Sequence, residues 1–313
     1  MYSYENFAKV KEELEKRRQA ALSDAEKRSF ELRMKSDEIK AIDEELSGTG
    51  FAIFKAACRG EDVTPIKERN LELQARKKEL IKSLGYPEDY TDVRYSCPLC
   101  SDTGYTDKGA TCVCLKEALV KATVASSGMG LLLEKQSFEN FDSSGFEGAD
   151  AQTMERTLKM AREFADNFGR ESGSLLLIGK TGTGKTHLSS AIGQVVIRKG
   201  FDVIYDSAQN ILSDFENDRF KSSYGQRDFH SDRYYECDLL IIDDLGTEFQ
   251  TPFTLSCIYN LLNTRQNKGL STIISTNLSG EELARKYEDR IYSRLIGKDS
   301  KILAFVGKDR RIH

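Results

Sequence analysis

The apolar positions of this chain change period twice. Over residues 4–47 they recur at heptad-like spacing among Glu, Lys, Arg and Ala, with no Gly or Pro. Phe7, Leu14, Ala21 and Ile42 share one heptad position and Ala25, Leu32, Ile39 and Leu46 another, while Arg28 and Lys35 interrupt the first series. This spacing predicts one long amphipathic helix with an imperfect seam. Ser47-Gly48-Thr49-Gly50 is expected to break it before a short apolar piece over 51–58. A second charged helix is predicted over 64–84, with Ile66, Leu73, Leu80 and Leu84 on one face and Gly85-Tyr86-Pro87 as its stop. The two helices are expected to fold back on each other as a hairpin.

The periodicity then disappears. Residues 93–118 are rich in Gly, Asp, Thr and Cys, and a Ser/Gly-rich linker follows, carrying the aromatic segment Ser137-Phe138-Glu139-Asn140-Phe141-Asp142. Met154, Leu158, Ala161, Phe164 and Phe168 predict a helix over 151–168. From Leu175 onward, short apolar runs alternate with amphipathic stretches, the pattern of a parallel sheet with helical crossovers.

Composition narrows the picture. The 313 residues are 39% hydrophobic and 31% charged, with net charge −4. No apolar run approaches the ~20 residues a bilayer span needs, so no membrane partner is expected. The net charge disfavours a globally basic nucleic-acid binder and leaves room for a local basic groove. The N-terminus shows no basic region followed by an apolar stretch, so no secretory signal and a cytoplasmic location are expected.

The chemistry begins at Gly179-Lys180-Thr181-Gly182-Thr183-Gly184-Lys185-Thr186, which fits G-x-x-x-x-G-K-[ST]. It follows the run Leu175-Leu176-Leu177-Ile178 and precedes a helical pattern over 187–198. Strand, glycine loop and helix together form a phosphate cradle, with backbone N–H groups and a helix N-terminus facing the anion. Lys185 is the expected ligand of the β/γ phosphates, and the Thr186 hydroxyl of Mg²⁺. Downstream, Asp238-Leu239-Leu240-Ile241-Ile242-Asp243-Asp244 is a strand ending in two acids. Asp243 is expected to hold Mg²⁺ and Asp244 to orient the attacking water, with Glu248 a second candidate base. A third strand ends at Asn277, placed to touch the γ-phosphate or the water. Arg290 and Arg294 lie four apart on one predicted helix face and are candidates to act on the nucleotide of a neighbouring subunit.

Seven cysteines and no export signal point to metal ligation where spacing allows. Cys97-Pro98-Leu99-Cys100 and Cys112-Val113-Cys114 put four thiols within 18 positions, which suits a closed tetrahedral Zn²⁺ site of structural character. A [4Fe–4S] cluster and redox thiols are the alternatives. Cys58, Cys237 and Cys257 read as ordinary small core residues.

These motifs, in this order, resemble the bacterial DnaC/DnaI helicase loaders, a branch of the AAA+ ATPases, and the related IstB-type transposition helpers. The resemblance runs over about 137–310. It rests on Phe138-Glu139-Asn140-Phe141, the glycine loop, Leu240-Ile241-Ile242-Asp243-Asp244-Leu245-Gly246, Thr276-Asn277-Leu278, Ser293-Arg294-Leu295 and Phe305-Val306-Gly307-Lys308-Asp309-Arg310. It implies an α/β fold, with a P-loop AAA+ parallel sheet flanked by helices. An N-terminal helical hairpin and a small four-cysteine zinc module would precede it. The expected division is a partner-docking arm over 1–92, the zinc module over 93–118, a linker over 119–150 and the ATPase domain over 151–313. By the same likeness Asn277 is sensor 1 and Arg294 the arginine finger, with Arg290 the lesser choice. The arm and cysteine cluster look like the docking region of zinc-containing loaders. The resemblance thus implies an ATPase that loads the hexameric replicative helicase onto single-stranded DNA, self-assembling through its ATPase domain. An IstB-like helper and an ATP-switched adaptor with negligible turnover are the alternatives. The stretch 209–236, with Phe215, Phe220, Lys221, Tyr224, Arg227, Tyr234 and Tyr235, matches the family region that faces DNA.

Overall fold

The computed structural model describes residues 2–130, 135–169, 171–223, 230–298, 300–307 and 309, with backbone alone at 221–223. The chain forms two compact units, one of Lys11–Leu115 and one of Met1–Val10 with Lys116–His313.

In the first unit, α1 (Tyr4–Lys35, beginning in the other unit), α2 (Asp37–Cys58) and α3 (Thr64–Ser83) replace the expected pair of helices. The break falls at Ser36. Its side chain accepts a hydrogen bond from the Ile39 N–H, and Asp37 and Glu38 follow in the first turn of α2, which is a strong helix start. Gly48 and Gly50, expected to end a helix, lie inside α2. Thr49 between them is buried and bonds Asn70 of α3, so tertiary contact outweighs the glycine penalty of roughly 1 kcal/mol each. Ion pairs Arg69–Glu45 at 2.7 Å, Arg76–Glu38 at 2.8 Å and Lys77–Asp43 at 2.6 Å run along the α2–α3 hairpin. Leu32, Ile39 and Ile81 form a small buried cluster. Cys58, expected in a core, is exposed at the end of α2.

The cysteine segment belongs to this unit. A single antiparallel bridge, Tyr105 to Thr111, turns the chain back between the two cysteine pairs. Helix α4 (Val113–Ser126) then leads into the second unit.

The second unit is an α/β sandwich. Among the described residues its sheet has five parallel strands: β1 (Ser174–Gly179), β2 (Val203–Ser207), β3 (Leu239–Leu245), β4 (Ser271–Thr276) and β5 (Ser300–Phe305). Their order is β2-β3-β4-β1-β5. The inner strands are apolar on both faces, as sheets covered by helices on each side require. One face is covered by α5 (Gly148–Asp166) and α6 (Lys185–Arg198), with Leu188, Ile192 and Val196 against Leu175, Leu177 and Ile241. The other face carries α7 (Ala208–Ser223), α8 (Asp232–Glu236), α9 (Pro252–Asn267), α10 (Gly280–Lys286) and α11 (Asp289–Leu295).

The described residues of 119–130 and 135–150 contribute to this unit's core. Met129, Phe138 and Phe146 are buried in the first core face. The Tyr205 N–H of edge strand β2 donates to the Ser127 carbonyl at 2.7 Å. Gly128 (φ +77) lies so close that a Cβ there would stand 2.3 Å from the Tyr205 carbonyl oxygen.

Arg265 on α9 is fully buried and donates to the carbonyls of Tyr234, Cys237 and Ser271 and to the Thr272 hydroxyl. It thereby ties α8 and its C-cap Cys237, just before β3, to the start of β4. Three of the described aromatics of the 209–236 stretch are spent on packing. Tyr234 is buried, Phe215 packs on Tyr234 and Tyr235, and the Tyr234 hydroxyl bonds Asp206 and Asp214. Phe220 is exposed. The Lys221 side chain, Tyr224 and Arg227 lie outside the described residues, as do Lys308 and Arg310. No described helix is long and apolar enough to cross a membrane.

Candidate functional site

The glycine loop joins the C-terminal end of β1 to α6. Gly182 (φ +74) and Gly184 (φ +101) adopt left-handed backbone, which a residue with a Cβ resists. Space forbids a side chain as well. A Cβ on Gly182 would lie 1.7 Å from Asp309 Oδ1, and one on Gly184 would lie 2.9 Å from the Phe141 ring. The Phe138–Phe141 segment is thus packed beside the loop, and Phe141 meets His187 edge to face at 5.2 Å.

Lys185 is buried. Its ammonium donates to the Gly179 carbonyl at 2.6 Å, the Lys180 carbonyl at 2.7 Å and Asn277 Oδ1 at 2.7 Å. The sequence-predicted phosphate lysine and sensor asparagine therefore touch. The loop carries the features a phosphate needs: left-handed glycines, a helix N-terminus and a cation held by neutral oxygens.

Asp243 and Asp244 are separated by geometry. The β3–β4 register slips between Ile242 and Leu245, and Asp244 sits at φ +54. This bulge turns Asp243 inward and Asp244 outward. Asp243 is buried, and three hydroxyls converge on it. Thr186 Oγ1 donates to Oδ2 at 3.1 Å, the Tyr205 phenol also donates to Oδ2, and the Ser275 hydroxyl donates to Oδ1. Burial, and next the Asp243 charge, push the Tyr205 phenol far above its usual range, which keeps it a protonated donor. The Ser275 oxygen also accepts the Asp244 N–H at 2.9 Å. Thr186 and Asp243 fit a Mg²⁺ ligand pair, one hydroxyl and one carboxylate meeting beside the phosphate cradle. Asp244 is exposed and accepts from Asn277 Nδ2 at 3.4 Å.

Glu248 is engaged elsewhere. It is buried, its Oε2 accepts the Gly246 N–H at 2.8 Å, its Oε1 accepts the Tyr287 phenol, and the Lys286 ammonium lies 3.8 Å away. Its carboxylate holds the loop after β3, where it has no reach to an attacking water without giving up these partners.

Arg294 is half-buried on α11. Its guanidinium donates to Asn263 Oδ1 at 2.9 and 3.2 Å and lies over the Tyr259 ring at 5.3 Å. It lines a cavity of about 430 Å³ with Ser174, Thr272 and Ser300, at the N-terminal ends of β1, β4 and β5. The glycine loop is at the opposite, C-terminal end of β1. Arg290 is exposed.

In the other unit, the Sγ atoms of Cys97, Cys100, Cys112 and Cys114 all lie within 4.8 Å of one another. The pairs Cys97–Cys112 and Cys100–Cys114 are 3.7 and 3.4 Å apart. A tetrahedron of thiolates at ~2.3 Å from Zn²⁺ has edges of about 3.8 Å, so the cluster can hold a metal. Burial, and then the neighbouring thiols, raise the Cys114 thiol. Four thiolates this close would need a cation between them. Asp102, which the sequence did not single out, shapes the first knuckle. Buried at left-handed φ +57, it accepts the N–H groups of Ser96 and Cys97 at 2.8 Å each. The signal was an acid two residues after C-x-x-C.

The sequence profile of the IstB-like ATP binding proteins matches residues 121–297, more than half of the chain. The chain belongs to the IstB-like ATP-binding family. The matched region contains the glycine loop, both aspartates, Asn277 and Arg294. The chain is also similar to the replicative helicase loader DnaC of Escherichia coli K12, 26% identical over 176 residues, which is 56% of this chain and 69% of that protein. DnaC of Buchnera aphidicola (strain Bp) is 25% identical over 180 residues, covering 58% and 71%. The replication initiator DnaA of Wolinella succinogenes is 28% identical over 149 residues, covering 46% and 33%. Among solved structures, a DnaC helicase loader has a TM-score of 0.46 at 23% identity over 54% of this chain and 98% of its own, and DnaI has 0.44 at 20% over 59% and 95%. The family profile and the DnaC relatives bear out the DnaC-type, IstB-related AAA+ character that the motifs suggested.

The two acids downstream of Asp243 separate by stability. Glu248→Ala orphans the Gly246 N–H and the Tyr287 hydroxyl and should lower unfolding free energy by about 1–3 kcal/mol. Asp244→Asn keeps a side chain that tolerates left-handed backbone and should stay within about 0.5 kcal/mol. Urea unfolding midpoints of the two variants measure this, and equal midpoints would contradict the assignment of Glu248 to structure.

Proposed function

We propose that this chain is an ATP-dependent loader of the hexameric replicative DNA helicase onto single-stranded DNA, in which ATP binding and hydrolysis time the release of partner and DNA. The observation that carries this reading is the match to DnaC-type replicative helicase loaders over 69% of their length. The ATP site supplies the switch. Lys185 exchanges the Gly179 and Lys180 carbonyls for the β/γ phosphates, which its ammonium meets as a point charge. Thr186 and Asp243 would hold Mg²⁺, which would supply neutralisation of phosphate charge. Asp244 is the acid with open access to a water, and Asn277 bridges it to Lys185, so one amide senses both phosphate and nucleophile. Gly179, Lys180, Thr181, Gly182, Thr183 and Gly184 complete the cradle.

Arg294 serves as a finger toward a neighbouring subunit's nucleotide. Its place at the far ends of the strands from its own glycine loop supports action in trans and therefore self-assembly. Arg290 is the weaker choice, since among the described residues no aromatic or amide partner aims it as Tyr259 and Asn263 aim Arg294. The N-terminal unit acts as the helicase-docking arm, stiffened by structural Zn²⁺ on Cys97, Cys100, Cys112 and Cys114. Phe220 is the exposed aromatic of the 209–236 stretch best suited to stacking on a DNA base.

The family profile itself favours a second reading, an IstB-like transposition helper with the same ATPase core. Size-exclusion chromatography with the host's replicative helicase at micromolar concentration separates the two. The loader reading predicts a co-eluting complex that survives Lys185→Ala but loses ATP-dependent release. Absence of any complex, with DNA-stimulated hydrolysis retained, would favour the helper.

Metal analysis of freshly purified protein should find about one zinc per chain, and Cys100→Ser should abolish it and loosen the first unit to protease. Less than about half an equivalent, or iron with visible absorbance, would overturn the zinc assignment.

A further inference from the structure

Asp243 accepts hydrogen bonds from three hydroxyls, yet only that of Thr186 belongs to the nucleotide-binding motif. The Tyr205 phenol comes from the neighbouring edge strand. The β2–β3 register pairs Tyr205 with Ile241 and Ser207 with Asp243. Residues two apart share a sheet face, so Tyr205 lies on the same face as Asp243 and its ring reaches along the strands to the carboxylate. Its backbone is held from outside by the Ser127 carbonyl and by the close packing of Gly128. Ser275 completes the arrangement from β4, donating to Asp243 while it accepts the Asp244 N–H. A carboxylate with Oδ1 and Oδ2 anchored from opposite sides cannot rotate.

We propose that Tyr205 is a positioning residue for the metal half of the nucleotide site: its phenol, with the Ser275 hydroxyl, keeps Asp243 oriented to receive Mg²⁺. This rests on the reading of the glycine loop as a Mg²⁺-nucleotide site. Thr186 shares Oδ2 with Tyr205, and its oxygen would offer a lone pair to a bound metal while its proton still points to Asp243. Tyr205 and Ser275 hold the two carboxylate oxygens independently of that task. Without the phenol hydroxyl, Oδ2 would be left to Thr186 alone, the residue that would also have to serve the metal. Groups that orient a metal's carboxylates commonly change metal affinity by about 10–100-fold when removed.

The test uses the full chain and a fluorescent N-methylanthraniloyl-ADP probe, with affinity titrated against Mg²⁺. In Tyr205→Phe the ring and its packing are kept. Affinity in EDTA should match wild type, while the Mg²⁺ concentration that gives half of the metal-dependent tightening should rise about tenfold. Ser275→Ala should shift the same quantity in the same direction. At saturating Mg²⁺, kcat of Tyr205→Phe should stay within about twofold of wild type. An unchanged Mg²⁺ midpoint in both variants overturns the proposal. So does a loss of affinity that is equal with and without Mg²⁺, which marks a merely structural role. Wild-type protein that fails to bind the probe at all overturns the nucleotide reading itself and is told apart by that control.

Discussion

The buried carboxylate of Asp243 is where the ATPase unit converges. It sits at the tip of β3 and is met by Thr186 from the start of α6, Tyr205 from β2 and Ser275 from β4. A buried anion is costly unless its lone pairs are satisfied, and here three elements satisfy them together. The same contacts fix the glycine-loop helix relative to the sheet. The bulge that follows is part of this constraint: with Asp243 held inward, the chain must kink to rejoin β4 at Leu245, and the kink turns Asp244 to the surface. One local irregularity thus assigns two adjacent, chemically identical residues to different environments.

Lys185 and Asn277 extend the constraint to charge. The buried lysine donates to two backbone carbonyls and to the Asn277 amide oxygen, and the same amide also reaches Asp244. On the proposed reading, a bound phosphate chain would change what Lys185 holds, and the Asn277 amide, which touches both Lys185 and Asp244, would carry that change to Asp244.

The sequence disclosed the parts whose chemistry needs particular residue types in a particular order. That Gly179 to Thr186, Asp243 and Asn277 lie together was legible because apolar runs reveal strand ends, and these residues stand at the ends of β1, β3 and β4. The four cysteines were legible by spacing. Position within the fold was harder. Ser36 carries its cap in a single side-chain bond inside a charged run, so the helix break was placed at the glycines of α2. Cys58 looked like core because it ends an apolar piece, yet α2 turns it to solvent. Tyr234 and Phe215 read as DNA-facing aromatics because composition does not tell a stacked core aromatic from an exposed one. Glu248 looked like a base by distance along the chain, and only three dimensions reveal Tyr287 and Lys286 beside it. Tyr205 lay in an unremarked apolar strand, where no motif distinguishes a phenol that packs from one that aims a carboxylate.

The central claim is that the ATP site is assembled between subunits, with the cradle of one chain completed by Arg294 of the next. The most direct measurement is a mixing experiment with two full-length variants. Lys185→Ala lacks a working cradle and keeps its finger, while Arg294→Ala keeps its cradle and lacks the finger. The account predicts that each alone hydrolyses ATP at background rate and that mixing them restores a substantial fraction of wild-type activity. Hydrolysis by Arg294→Ala alone at the wild-type rate, or a mixture that stays at background while both variants still assemble, would contradict it.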